Sequence, residues 1–139
     1  MDVFFDTSAI FAVLGGSDAS RTKAHRTWTE LVDGLSEGKV RLVTTNYVVV
    51  ETCALLQSRI GLAAVRVFLD DVLQVSEIVW ITPAQHIAAV QVMVAANRRK
   101  LSLVDCATLA AIRDRGIRKA FAFDDHFREQ GFEDATLKK

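Results

Sequence analysis

The chain has 139 residues, half of them hydrophobic and 24% charged, proportions that exclude a disordered or fibrous polypeptide and favour one domain, residues 1–139, with a substantial core. Its 17 lysines and arginines balance 17 aspartates and glutamates, so any polyanionic partner must be met by a local patch and not by global charge. The opening Met1-Asp2-Val3-Phe4-Phe5-Asp6 lacks the basic region and long apolar core of a signal peptide, and no apolar run is long enough to span a bilayer. A cytoplasmic location with no membrane partner is expected.

In chain order, residues 3–6 form a short apolar run that reads as a buried strand, followed by helical spacing over 8–14 and 19–35. Gly34 to Gly38 reads as a loop, and the β-branched run over 40–45 as a second strand. Helical patterns over 47–59 and 62–74 are separated by Gly61, and a strand is predicted over 78–82. Thr82 and Pro83 fit the cap and first turn of a helix over 83–98, while Gly116 fits the end of one over 103–115. A strand over 120–123, a short segment starting at His126, and an edge strand over 134–137 complete the order. The alternation predicts a three-layer α/β domain with a mainly parallel central sheet flanked by helices.

Four carboxylates interrupt this pattern where charge is costly. Asp6 and Asp124 end apolar runs, while Glu51 and Asp105 sit in helical segments with apolar neighbours. Asp6 and Asp124 thus fall at strand C-termini, the ligand-binding edge of an open α/β sheet. Glu51 and Asp105 fall near helix starts, where the helix dipole favours anions. Caps compete with this reading: Ser102 and Asp105 have capping-box spacing, and Asp124 or Asp125 fits the cap of the segment at His126. Glu51 lies beyond the first turn among Tyr47, Val48, Ala54 and Leu55, so it is expected to be buried for a functional reason.

Two carboxylates ~5 Å apart repel by roughly 3 kcal/mol at an effective dielectric of about 20, which a divalent cation would offset. Oxygen ligands without histidine or thiolate favour Mg²⁺ or Mn²⁺ over zinc. The histidines His25, His86 and His126 fit no ligand spacing and are expected to have surface or packing roles. Cys53 and Cys106, without CxxC spacing, read as small buried hydrophobes. Trp28, Trp80, Phe68 and Phe121 read as core or interface residues, and the apolar segment 65–75 as a helical dimer contact.

The blocks Asp6-Thr7-Ser8-Ala9, Asn46-Tyr47-(x)3-Glu51, Leu101-Ser102-(x)2-Asp105 and Phe123-Asp124-(x)1-His126-Phe127, in this order through the whole chain, resemble the PIN-domain nucleases. In length the chain looks most like the VapC-type ribonuclease toxins of bacterial toxin-antitoxin pairs. The resemblance implies a PIN-like fold and a Mg²⁺- or Mn²⁺-dependent endoribonuclease whose catalytic acids are Asp6, Glu51, Asp105 and Asp124. It also implies RNA as substrate, a cognate antitoxin as protein partner, and a homodimer. Asp6, Asp105 and Asp124 are the expected metal ligands, and Glu51 the residue that orients or deprotonates the nucleophile. Ser8, Ser102, Arg98, Arg99 and Lys100 are candidate substrate contacts, the two serines competing with a capping role and the basic trio with a solvated helix end.

A haloacid-dehalogenase-type phosphatase would place a second aspartate two residues after the first, where this chain has Ser8, and a phospho-receiver would need an aspartate near Thr45. The remaining alternative is a catalytically silent PIN-fold RNA- or protein-binding module, against which the intact acids argue.

Overall fold

The computed structural model of the protein describes residues 1–15 and 18–135. Its strands are β1 (Asp2–Phe5), β2 (Arg41–Thr45), β3 (Ser76–Val79), β4 (Lys119–Phe121) and β5 (Glu133–Asp134), in the sheet order β3-β2-β1-β4-β5. Every neighbouring pair is parallel; Phe4, for example, stands opposite Val43 on one side and Ala120 on the other. Parallel pairs need long crossovers, which are supplied by α1 (Thr7–Gly15), α2 (Asp18–Ser36), α3 (Asn46–Arg59), α4 (Leu62–Val67), α5 (Pro83–Ala96), α6 (Leu103–Asp114) and α7 (Asp125–Glu129).

Alternation along the strands sets the layers, because successive side chains point to opposite faces. Val3, Phe5 and Leu42 pack with Ile10, Leu31 and Phe68 of the α1, α2 and α4 side. Phe4 and Val43 instead pack with Leu109, Ile112 and Phe127 from α6 and α7. Helix α3 joins both cores, giving Val48 to one and Leu56 to the other. Chain order explains where a ligand would enter. From β1 the chain builds outward through β2 and β3, then returns to the far side of β1 for β4 and β5. That reversal opens a crevice at the C-terminal ends of β1 and β4.

Several boundaries differ from those predicted, each with a local cause. The third strand ends at Val79 because the chain then turns away to donate the Ile81 N–H to Asn46 Oδ1 at 2.7 Å, which leaves Trp80 68% exposed and outside the core. β4 stops at Phe121, since its carbonyl accepts from Asp6 N and Phe123 N donates to Ser8 Oγ. The segment over 62–74 is not one helix but α4 followed by a π-helical turn, Phe68–Val72, and a 3₁₀ turn, Leu73–Val75. Val65, Phe68 and Val72 of this segment are buried in the core, so its apolar character serves packing first. α2 continues through Ser36, and the turn closes at Gly38 with φ 73°. β5 begins one residue before the expected edge strand, whose positions 136–137 lie outside the described residues. Cys53 and Cys106 are both free, Cys106 buried and Cys53 half-buried. Among the described residues no helix is long and apolar enough to cross a membrane.

Candidate functional site

Asp6 follows β1 directly and is only 3% exposed. Its N–H donates to Phe121 O at 3.0 Å, its carbonyl accepts from Ala9 and Ile10 to start α1, and its carboxylate accepts from both the N–H and the hydroxyl of Ser8. The Ser8 hydroxyl in turn accepts from Phe123 N at 2.9 Å. One serine therefore ties the acid of β1 to the chain immediately before Asp124. With its proton committed to Asp6, Ser8 acts here as a strut between the two strand ends.

Glu51 projects from the second turn of α3 and is half-buried, not enclosed, since neighbouring Val50 and Ala54 are exposed. The start of α3 is fixed by Thr45, whose hydroxyl accepts from Val48 N and pairs with Thr108 of α6 at 3.0 Å. Beside Glu51 a second buried hydroxyl pair, Thr7 with Thr52 at 2.9 Å, pins α1 to α3, and the Thr7 hydroxyl favours the ionised form of Glu51.

Asp105 completes the capping box predicted for it. Ser102 N donates to Asp105 Oδ2 at 3.0 Å and Asp105 N to Ser102 Oγ at 3.1 Å, a complete capping box. The same buried carboxylate nevertheless faces the other acids. Asp124 occupies the N-cap position of α7 yet makes no side-chain cap bond, so the capping explanation fails for it. Asp125 is exposed and paired with Arg128.

Mutual repulsion is the electrical signature of the cluster. Burial, opposed by the Ser8 hydrogen bond and aided by Asp124 and Glu51, holds the Asp6 carboxyl up at about 7. Burial also raises Glu51, against the Thr7 hydrogen bond and with help from Asp105 and Asp124. Asp124 is raised by partial burial and then by Asp105, with His126 opposing. Thus acids from four separate elements converge in one field. Among the described residues no lysine or arginine lies within ion-pair distance of any of the four.

One residue outside the predicted set stands beside these acids. His126 was expected to have a surface or packing role; instead its ring is 13% exposed with Nε2 3.6 Å from Asp105 Oδ2. Ligand atoms of Asp105, Asp124 and His126 all fall within 4.8 Å of one another. The DxHF block was the available signal, but isolated histidine spacing does not reveal a partner 21 residues upstream. His25 instead bonds Val13 O at 2.8 Å, and His86 bonds the Tyr47 hydroxyl.

The basic candidates divide. Arg98, Arg99 and Lys100 are all exposed on the turn leading into α6, Arg98 beside Glu129 at 3.3 Å. Farther along, Arg113 is held by Gln130 and Arg115 by Glu77. Two depressions flank the acids: one of about 250 Å³ includes Lys23, Phe123 and Asp124, and an apolar one of about 320 Å³ is lined by Asn46, Tyr47, Val50, Glu51 and Val104.

A parallel sheet of this order with acids gathered over its switch point is the arrangement of a PIN domain. The PIN-domain family model matches residues 3–133, and the chain belongs to that family. Within it, the chain is 33% identical over 134 residues to the 23S rRNA-specific endonuclease VapC20 of two Mycobacterium tuberculosis strains, CDC 1551 / Oshkosh and ATCC 25618 / H37Rv, covering 94% of this chain and 95% of the relative. It is likewise similar to the crystal structure of M. tuberculosis VapC20, described as a sarcin-ricin loop cleaving toxin, with TM-score 0.74 and 29% identity over 94% of this chain and 95% of that one.

Proposed function

We propose that this chain is a metal-dependent endoribonuclease, the toxin of a type II toxin-antitoxin pair, that hydrolyses RNA phosphodiester bonds at Asp6, Glu51, Asp105 and Asp124. The observation that carries this reading is the convergence of four mutually repelling carboxylates without a basic side chain to neutralise them. Such a donor set fits a hard divalent cation, Mg²⁺ or Mn²⁺. When bound, the ion supplies Lewis acidity toward a phosphate oxygen and toward the attacking water.

The chain's own residues then divide the work. Asp6, Asp105 and Asp124 hold the cation, and Ser8 and Ser102 keep the first two carboxylates aimed through the hydrogen bonds described above. Glu51, raised by burial and steered by Thr7, accepts the proton of the attacking water. Arg99 and Lys100, with Arg98, meet the phosphate backbone on the approach to α6.

Similarity to VapC20 makes 23S rRNA, and its sarcin-ricin loop in particular, the first substrate to test. The partner reading is a cognate antitoxin in the cytoplasm and a homodimer. For the dimer the supporting face is α5, a 14-residue helix without Asp, Glu, Lys or Arg in which only Ala89 is fully buried. Ile87 and Val94 on it are 60% and 67% exposed, and Trp80 precedes it. An uncharged apolar face at the sheet edge suits a second copy of itself better than a charged partner. It replaces the segment 65–75 as the contact we favour.

The test is cleavage of 23S rRNA and of a mixed RNA pool with Mg²⁺, Mn²⁺ or chelator, alongside Asp105→Asn purified identically. Metal-dependent cutting by wild type, reduced at least about 100-fold in the variant, is expected. Equal cutting by both proteins would assign the activity to a contaminant.

A further inference from the structure

We propose that His126 is a nitrogen ligand of the cation at this site, so that the centre is a mixed carboxylate-imidazole centre that prefers Mn²⁺ to Mg²⁺; this rests on the metal-dependent reading above. His126 stands two residues past Asp124, at the second position of α7, and the short turn folds both side chains over Asp105. Its Nε2 lies 3.6 Å from Asp105 Oδ2, beyond the roughly 2.7–3.2 Å of a hydrogen bond to oxygen. Among the described residues its ring makes no hydrogen bond, although it is largely withdrawn from solvent.

That gap has the dimensions of an ion. With bonds of roughly 2.1 Å, neighbouring ligands of an octahedral cation stand about 3 Å apart and opposed ones about 4.2 Å. Asp105, Asp124 and His126 offer one atom each, all within 4.8 Å of one another, so modest rotation of the side chains would bring them to those separations. The competing arrangement, a direct hydrogen bond to Asp105, would need the same gap closed with no ion in it. Donor chemistry supplies the selectivity: an all-oxygen set suits Mg²⁺, whereas an imidazole nitrogen is a better ligand for a transition metal such as Mn²⁺.

Mn²⁺ bound to the tag-free full-length protein provides a readout independent of RNA cleavage. Electron-spin-echo spectroscopy of the wild-type complex should show a directly coordinated ¹⁴N nucleus. His126→Gln should lose that coupling and bind Mn²⁺ at least about tenfold more weakly, with a smaller change for Mg²⁺. His126→Asp should recover affinity without nitrogen coupling and move the preference toward Mg²⁺. Bound Mn²⁺ without ¹⁴N coupling in wild type, or coupling that survives in His126→Gln, overturns the proposal. If Mn²⁺ binding is abolished by Asp105→Asn but carries no nitrogen signal, His126 is excluded while the nuclease reading stands. Failure of the protein to bind either Mn²⁺ or Mg²⁺ removes both. Should His126→Gln not fold, the wild-type spectrum together with His25→Gln and His86→Gln decides the assignment.

Discussion

Replacing Asp6 with Asn should stabilise the metal-free protein while destroying its site. Asp6 is buried and its carboxyl is raised from 3.8 to about 7, chiefly by that burial, with Asp124 and Glu51 adding repulsion. A carboxyl raised on folding binds its proton more tightly in the native state, so its contribution to stability is greatest below pH 3.8 and is lost as pH rises through about 7. At 1.36 kcal/mol per pKa unit, the whole interval corresponds to about 4 kcal/mol. Asparagine has no such penalty and its amide oxygen can still accept from Ser8. The gain of Asp6→Asn over wild type should therefore grow from about 1.5 kcal/mol at pH 5 to about 4 kcal/mol at pH 8.

Urea denaturation in chelator at the two pH values measures this directly. Saturating Mn²⁺ should reverse the order, because only wild type gains the binding free energy. A variant no more stable than wild type at pH 8, or a gain that does not change with pH, would refute the claim that Asp6 is held at a cost for function.

Two further perturbations separate framework from chemistry. Ser102→Ala removes half of the capping box around Asp105 and should cost about 1 kcal/mol in thermal or denaturant melts with KM for RNA unchanged; a raised KM without loss of stability would return Ser102 to the substrate. Ile87→Glu places a charge on the apolar face of α5 and should convert a dimer to a folded monomer in sedimentation; an unaltered association state would locate the contact elsewhere.

The parallel α/β order and the four acids were legible because each leaves a local mark: β-branched runs for the strands, and carboxylates where apolar residues would otherwise stand. What stayed hidden depends on contacts distant in sequence. Thr45 meets Thr108 and Thr7 meets Thr52 across separations of 63 and 45 residues, and no local pattern distinguishes such threonines from ordinary β-formers. His126 comes to lie beside Asp105 only because the turn into α7 sets it against α6. The end of β3 was misplaced for a related reason, since the side chain of Asn46 captures a backbone donor that the strand would otherwise use. Trp80, assigned by its apolarity to a core or an interface, is excluded from the core by the same turn.

The choice of partners around the acids carries its own logic. Lysines or arginines would relieve the repulsion among four carboxylates, but they would also occupy the position of a cation. Instead Ser8 and Ser102 supply neutral hydrogen bonds to Asp6 and Asp105, the neutral Thr7 hydroxyl stands by Glu51, and the paired threonines brace α1, α3 and α6 behind them. Hydroxyls and backbone N–H groups fix direction without cancelling charge. Under the proposed toxin reading, a basic side chain of an antitoxin inserted among Asp6, Glu51, Asp105 and Asp124, as the family resemblance implies, would satisfy the same electrostatic demand as the cation and exclude it.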